Sequence, residues 1–403
     1  MKTPLSLTIF SACILTSCMQ NQTDYKFIKQ ATPTITYNQT VIPTLSLYDT
    51  LRTDLYQNEF DSVWFVKLEM TDNCIIGNMS DVHIYNNQII IADTRSDGIY
   101  VFDFNGKLVR SIVKKGNGPC EYGAISTAHI KDSIIMVTDF ISGKFLQYDI
   151  HGNCISERID KRRSASYSWP FSDSLFLETS GYSKFNNNLF ELTFTDEKQN
   201  VLGTARPFRT NIPIAASHII KGDDDSLFYL GSLNDTLFTV NQNSLTPYLC
   251  LGLYSKDKLD KFYIDVFKIK KDNERVKFFN FKSQIPIHSH LTINSNYITI
   301  MFADDKYSYA SIIDKKNLTP HTYIQMNRQT GVFYNIVGIH ELYNDDWIVS
   351  PLSVSDINSL SPKVLEKSIE HLPNENLKNE IRNLAKLDSD SNGIIMFFHI
   401  KKR

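Results

Sequence analysis

A repeat of 46 residues constrains this chain more than any other feature. Asp93, Asp103 and Gly106 recur as Asp139, Asp149 and Gly152, and His83 recurs as His129 at the same offset. Three such offsets, 138 residues, lay the run from Gln88 to Asn105 on Ser226 to Asn243 without a gap. Ile89, Ile99 and Phe102 then fall on Leu227, Leu237 and Val240. A period of about 40–50 residues made of short strands is that of a β-propeller blade. The expected class is therefore all-β.

The first clear unit shows how a blade is built. Val82 to Tyr85 reads as its inner strand. Asn86-Asn87 turns the chain into Gln88 to Asp93, an almost continuous Ile run of the kind buried on both faces. Gly98 to Asp103 is the third strand. Asn105-Gly106 is a two-residue hairpin signal, because both residues tolerate positive φ. Lys107 to Ile112 is the outer strand. Similar units follow, the third loosest and the fourth clean again from Ser226.

The arithmetic gives six blades. Ser80 to Arg403 is 324 residues, and removing about 25 for each of two helical insertions leaves about 274, close to six times 46. The insertions are read at Lys256 to about Phe281 and Pro362 to about Lys386, the second with an apolar stripe at Leu377, Ile381 and Leu384. The last blade lacks an outer strand because the sequence ends at Arg403. Val63 to Met70 is the segment expected to supply it, removing open sheet edges.

The N-terminus reads as an export signal. Lys2 precedes a short apolar stretch from Leu5 to Leu15, too short to span a bilayer. It ends in Leu15-Thr16-Ser17-Cys18, which resembles a bacterial lipobox, so Cys18 is the expected lipidation site. Three domains are expected: a signal peptide over 1–17, a lipidated N-terminus and polar tether over 18–58, and a propeller over 59–403 closed by the 63–70 strand. Several acyl chains make a stable anchor. Met19 to Thr23 carries no acid, which leans toward the periplasmic side of the membrane.

The chain holds 42 Lys and Arg against 44 Asp and Glu, interspersed, for a net charge of −2. This argues against a nucleic-acid partner. Cys74, Cys120, Cys154 and Cys250 are scattered, without paired or zinc-ligand spacing, and are read as mostly free or buried.

Asn105-Gly106-Lys107-Leu108 followed by Gly116-Asn117-Gly118-Pro119-Cys120-Glu121-Tyr122 resembles the signature of the six-bladed β-propeller lipoproteins of Bacteroidota, themselves similar to NHL-repeat propellers. Asn234-Asp235-Thr236-Leu237-Phe238 is a second phrase of that family. The resemblance covers residues from about 60 to 403 and implies the fold and an outer-membrane lipoprotein of the cell envelope. It implies little about activity. The family pattern has Gly where this chain has Cys120; if that position needed positive φ, Cys would be strained there.

The chemistry candidates are few. Asp388-Ser389-Asp390-Ser391-Asn392-Gly393 begins like a calcium loop, but His399 stands where the bidentate acid belongs, so a polar turn is expected. The repeated Asp93, Asp103, Asp139 and Asp149 read as turn caps. His83, His129, His288 and His290 lie on or near inner strands and could hold a metal or move protons. Packed or solvent-facing histidine is the preferred reading, with no metal and no cofactor expected.

Two functions are weighed. The leading one is a non-catalytic binding or scaffold module for a protein or glycan partner. The alternative is a propeller enzyme, a lyase or hydrolase, acting on a glycan or other polymer. The long connections, 113–124, 160–168, 205–217, 253–286 and 351–392, all fall on one side of the blades. Binding is expected on that elaborated face near the channel mouth, with Arg95, Tyr122, Trp169 and Tyr182 as contributors.

Overall fold

The computed structural model describes residues 34–402 apart from 39, 80, 132, 140, 161–164, 173, 181–188, 209–217, 223–225, 232, 254, 272–273, 275–285, 330–331, 336–337, 373 and 389–390. Two compact units emerge: residues 52–159 with 323 onward, and residues up to 51 with 160–322.

The second unit begins with β1 (Thr36–Tyr37), and β2 (Leu51–Arg52) lies at its boundary. In the first unit, the short helix α1 (Leu55–Glu59) leads into β3 (Phe60–Lys67). Two four-stranded antiparallel meanders follow there. One is β4–β7 (Asp81–Tyr85, Gln88–Asp93, Gly98–Asp103, Leu108–Ile112). The other is β8–β11 (Thr127–Lys131, Ile134–Asp139, Lys144–Asp149, Cys154–Ile159). The second unit continues with β12–β15 (Ala165–Ser172, Leu175–Ser180, Phe190–Asp196, Val201–Pro207) and β16–β19 (His218–Lys221, Leu227–Leu230, Thr236–Asn241, Ser244–Cys250). After α2 (Lys256–Lys268) come β20–β22 (Ile287–Ile293, Tyr297–Ala303, Tyr307–Asp314). β23 (Thr319–Asn327), next in that sheet, runs across the unit boundary.

The chain then stays in the first unit. β24 (Val332–Phe333) pairs with β23. β25 (Glu341–Tyr343), β26 (Trp347–Leu352) and β27 (Ile394–Ile400) form the last sheet. Helices α3 (Val354–Asn358), α4 (Pro362–Ile369) and α5 (Glu375–Leu384) stand between β26 and β27. The fourth strand of that sheet is β3, antiparallel to β27 with Val66 opposite Ile395 and Trp64 opposite Phe397. Six such sheets make a six-bladed β-propeller. β3 starts and ends three residues before the expected 63–70 segment.

The Ile run of β5 shows why this sequence makes blades. Ile89 and Ile91 enter one core cluster with Val66, Phe102, Ile395 and Phe397. Ile90 and Ala92 enter another with Val101, Ile112, Ala128 and Val137. Each face of the sheet meets a different neighbour, so alternation gives apolar residues at every position. Burying each such side chain contributes about 2 kcal/mol.

Three expectations need correction. The Asn105-Gly106 turn is not a two-residue loop of positive φ. Gly106 N–H bonds the Asp103 carbonyl at 2.9 Å and Gly106 alone has φ +80°, the geometry of a type I turn with a glycine bulge. A Cβ at Gly106 would lie 1.9 Å from the Lys67 carbonyl oxygen. Secondly, the chain from residue 34 to 58 is no loose tether. Ile35, Leu45, Leu47, Leu55 and Tyr56 are buried, and β1 lies parallel to β19, with Thr36 opposite Ser244. Thirdly, Cys120 and Cys154 form a disulfide, while Cys74 is buried and free and Cys250 half-buried and free. Their separation of 34 residues carried no paired-spacing pattern; the fold brings a loop onto the neighbouring outer strand.

Candidate functional site

In the first unit the titratable inner-strand side chains gather around the peptide of Ala128. β4 opens with Asp81-Val82-His83, and alternation sends Val82 into the core while 81 and 83 share the other face. His83 Nε2 lies 3.2 Å from the Ala128 carbonyl on β8. The Asp81 carboxylate accepts from the Ala128 amide. His83 Nδ1 is 3.5 Å from Glu341 Oε2 at the start of β25, and the His83 and His129 rings meet edge to face at 6.1 Å.

Burial pulls the His83 pKa down, but Glu341, Asp81 and the Ala128 carbonyl together lift it to about 9. Burial raises Asp81 to about 6, against the pull of His83 and the Ala128 amide. His83 is therefore an imidazolium at neutral pH, able to donate from both nitrogens. Among the described residues no group of three or more His, Cys, Asp or Glu is arranged to hold a metal. The cluster pins three inner strands, β4, β8 and β25, together and leaves half-buried charge where they meet.

The second unit has a different histidine site. His288 on β20 is buried, with Nε2 at 3.0 Å from the Gly231 carbonyl. Burial pushes its pKa down to about 4, partly offset by that carbonyl, so it is neutral and donates through Nε2. Its ring lies 5.0 Å from that of His218. Close by in the chain, Tyr229 donates at 2.6 Å to the buried Glu191 carboxylate, and burial raises Glu191 despite Arg206 and Tyr229.

The connecting loops are braced. In the 113–124 connection, the Tyr122 hydroxyl donates to the Asp97 carbonyl at 3.0 Å and accepts the Lys114 N–H at 3.2 Å. Asp97 takes Lys115 Nζ at 2.7 Å and the Ile125 N–H at 2.9 Å. Lys144 Nζ donates to the carbonyls of Gly118 and Glu121 at 2.8 and 2.9 Å. Cys120 adopts φ +58°, its N–H bonds the Glu157 carboxylate, and its sulfur is tied to Cys154 on β11. This chain thus fills a positive-φ position with a cross-linked Cys. In the second unit, Tyr48, Leu253, Ser255, Lys258, Pro286 and Asp304 line a cleft of about 280 Å³ beside the start of α2.

The residues singled out in the sequence have unequal fates. Arg95 is exposed on the β5–β6 connection, its backbone held by Asp93 Oδ1 at 2.8 Å. Tyr122 has no exposed surface and belongs to the core; its hydroxyl is spent on the loop, so it presents nothing to a ligand. Trp169 on β12 is only 6% exposed. Tyr182 and Cys18 lie outside the described residues. His83 and His129 are brought together; His288 and His290 lie on a strand of the other unit. Asp81, Glu341 and His218 were missed, although Asp81 stands two residues from His83, the spacing that shares a strand face.

The acids read as turn caps have that geometry. Asp93 accepts from Gly77 N at 2.6 Å, Arg95 N at 2.8 Å and Ser96 Oγ at 2.6 Å. Asp139 repeats this 46 residues on, with Gly123 N at 2.6 Å, Ser142 N at 3.0 Å and Ser142 Oγ at 2.6 Å. In the calcium-like segment, Asn392 donates to the carbonyls of Glu69 and Cys74 and accepts from Ile76 N–H. That side chain locks a buried turn.

The strand order and these turns define the class, a six-bladed β-propeller with one plain and one elaborated set of connections. The chain belongs to the family described as Domain of unknown function (DUF4934), which matches residues 39–399. It is similar in fold to a Bacteroides fragilis protein described as exported, at 19% identity and TM-score 0.68, covering 90% of this chain and all of that one. A DUF4221 family member from Bacteroides vulgatus matches at 10% identity and TM-score 0.47, covering 94% of this chain and 99% of that one. Virginiamycin B lyase from Staphylococcus aureus matches at 10% identity and TM-score 0.38, covering 65% of this chain and 74% of that one. Comparison with curated proteins finds no match. No helix among the described residues is long and apolar enough to cross a membrane.

Proposed function

We propose that this propeller is a lipid-anchored binding or scaffold module of the bacterial cell envelope, which holds a protein or glycan partner on its elaborated connections. The observation that carries this reading is the asymmetry of those connections. First-to-second and third-to-fourth turns are minimal, as at Asn86-Asn87 and Asn105-Gly106. Among the described residues the long segments carry four helices and the disulfide-braced loop. Loops positioned by a rigid scaffold are where recognition resides. The repeated acids are consumed by turns and contribute no free reacting group. The envelope location draws on the lipobox at Cys18 and on the Cys120–Cys154 disulfide, a bond that persists in oxidising compartments.

The test is capture of the native protein from membranes, comparing the natural chain with variants at Arg95, at Lys258 and at the Asn86 turn. Loss of a partner from the first or from the second, with retention in the third, is expected. Loss only from the Asn86 turn would overturn the assignment. Cys18→Ala should abolish uptake of labelled fatty acid; continued labelling would sink the anchoring.

The competing reading is an enzyme acting on a glycan or other polymer. It is favoured by one observation, the Asp81 carboxyl raised to about 6 beside a protonated His83, values that suit proton transfer near neutrality. Cleavage of envelope glycans that disappears in Asp81→Asn and His83→Gln would establish it.

A further inference from the structure

The outer strand of a blade leaves a row of backbone N–H and C=O groups unpaired, and this chain covers several such rows with itself. In the second unit, Thr36–Tyr37 adds in parallel to β19, and Leu45 N–H and the Pro43 carbonyl bond Cys250 at 2.8 and 2.9 Å. Thr34 and Ile35 donate to the Thr204 carbonyl of β15, each at 3.0 Å. In the first unit, β24 covers the end of β23. The outer strand β7, like β3 and β11, has no added strand beside it among the described residues. Its start is capped by Glu69, which takes the Leu108 N–H at 2.8 Å, and Lys114, two residues past its end, is held by Tyr122. Between these caps, residues 109–113, no described strand pairs with its outer side.

The side chains on this stretch are those of a contact rather than of a guarded edge. Val109 and Val113 are 45% and 51% exposed, with exposed Ser111 between them. The run from Lys107 to Lys115 holds four cations and no acid. Arg110 is turned to the Ile150 carbonyl at 2.8 Å and Lys115 to Asp97, which leaves Lys107 and Lys114 exposed at the two ends. A bulge at Val109 is no obstacle. β19 also has a bulge, between its partners for Leu237 and Phe238, and is still covered on both sides of it.

We infer that the free edge of β7 receives an extended, acidic segment of a partner protein by strand addition. The segment's alternate apolar side chains lie on Val109 and Val113, and its carboxylates meet Lys107 and Lys114. Five residues give a contact of about 17 Å, matching a short linear motif. This site is the edge of an outer strand and meets the elaborated connections only at Val113 and Lys114; the Arg95 and Lys258 variants lie outside it and test the reading of those connections separately.

The probe is a synthetic peptide, acetyl-Glu-Val-Thr-Val-Glu-amide, titrated against the full-length protein while amide exchange is followed by mass spectrometry. Saturable binding that weakens with salt and slows exchange at 109–113 is expected. Val109→Lys with Val113→Lys, and separately Lys107→Glu with Lys114→Glu, should each weaken binding about tenfold or more. The same lysines placed at Val201 and Leu202, exposed on β15, should leave it unchanged. No slowing at 109–113 at saturating peptide overturns the inference, as does equal binding of a peptide with Lys in place of Glu. Binding of phosphatidylglycerol vesicles through these residues, with the peptide ignored, would assign the edge to a membrane surface instead.

Discussion

Asp139 and Asp149 recur in step with Asp93 and Asp103, yet they do different work. Asp139 is fully buried and satisfies two loop amides and a hydroxyl. Burial opposes its ionisation, but the Ser142 and Gly123 bonds outweigh it and hold the carboxyl below its ordinary value. Asp139→Ala should therefore cost about 2–4 kcal/mol in chemical unfolding, since it strands buried donors. Asp149→Ala, at an exposed hairpin, should cost clearly less; equal losses would show that both merely cap turns. Asp139 stabilises above its ordinary pKa of 3.8, and that stability is lost as pH falls through the lowered folded value. His83 works in the opposite sense. Its contribution is full below its ordinary 6.5 and is lost as pH rises through about 9. Asp81 acts in a lower window, between 3.8 and about 6. His83→Gln should thus flatten the fall in melting temperature between pH 6.5 and 9, and an unchanged slope would place the proton elsewhere. The repeated acids were legible because repetition argues for turns. The partners of His83 were not, because Glu341 is 258 residues away in sequence and nothing local announces it. Tyr122 misled for a related reason: a Tyr in a Gly- and Pro-rich loop reads as displayed, whereas its hydroxyl direction is set by Asp97.

At the scale of elements, the sequence spoke clearly about strands and poorly about what crosses between them. The continuous Ile of β5 announced a sheet buried on both faces, and the stripe of Leu377, Ile381 and Leu384 is the buried face of α5. The insertion itself is three helices, because Ser353, Ser361 and Asn374 each cap a new start. The polar composition of residues 34–45 hid an edge strand, since an edge is held by backbone bonds that any residue can make. Cys120 shows how a departure from a family pattern can be compensated. A non-glycine residue at φ +58° costs about 1 kcal/mol, and here the disulfide, the Glu157 carboxylate and the Tyr148 hydroxyl at 2.8 Å hold it in place. Cys120→Gly with Cys154→Ser should therefore retain more stability than Cys120→Ala with Cys154→Ser, by about 1 kcal/mol. Equal melting of the two double variants would mean the loop relaxes out of positive φ once the cross-link is gone.

At the scale of the whole molecule, the sixfold repeat has to be completed by a strand from outside it. β27 carries Ile394-Ile395-Met396-Phe397-Phe398, all buried, and would be a long apolar edge without a neighbour. β3 supplies the neighbour from the other end of the chain, with seven residue pairs and a register shift between His399 and Ile400. The ring of Trp64 stacks on Phe397 at 3.9 Å, with Phe104 edge-on at 5.5 Å. Two contributions can be separated here, backbone pairing and aromatic packing. Trp64→Ala removes only the second and should cost about 3 kcal/mol while leaving a cooperative transition. A chain starting at residue 74 removes both and also strips the Gly106 carbonyl of its Glu69 N–H at 2.8 Å. It should aggregate or lose cooperative melting altogether. Should that truncated chain melt like the full protein, β3 would be an ornament on a sheet that is already stable, and joining the two ends of the chain would not be what holds the first unit together.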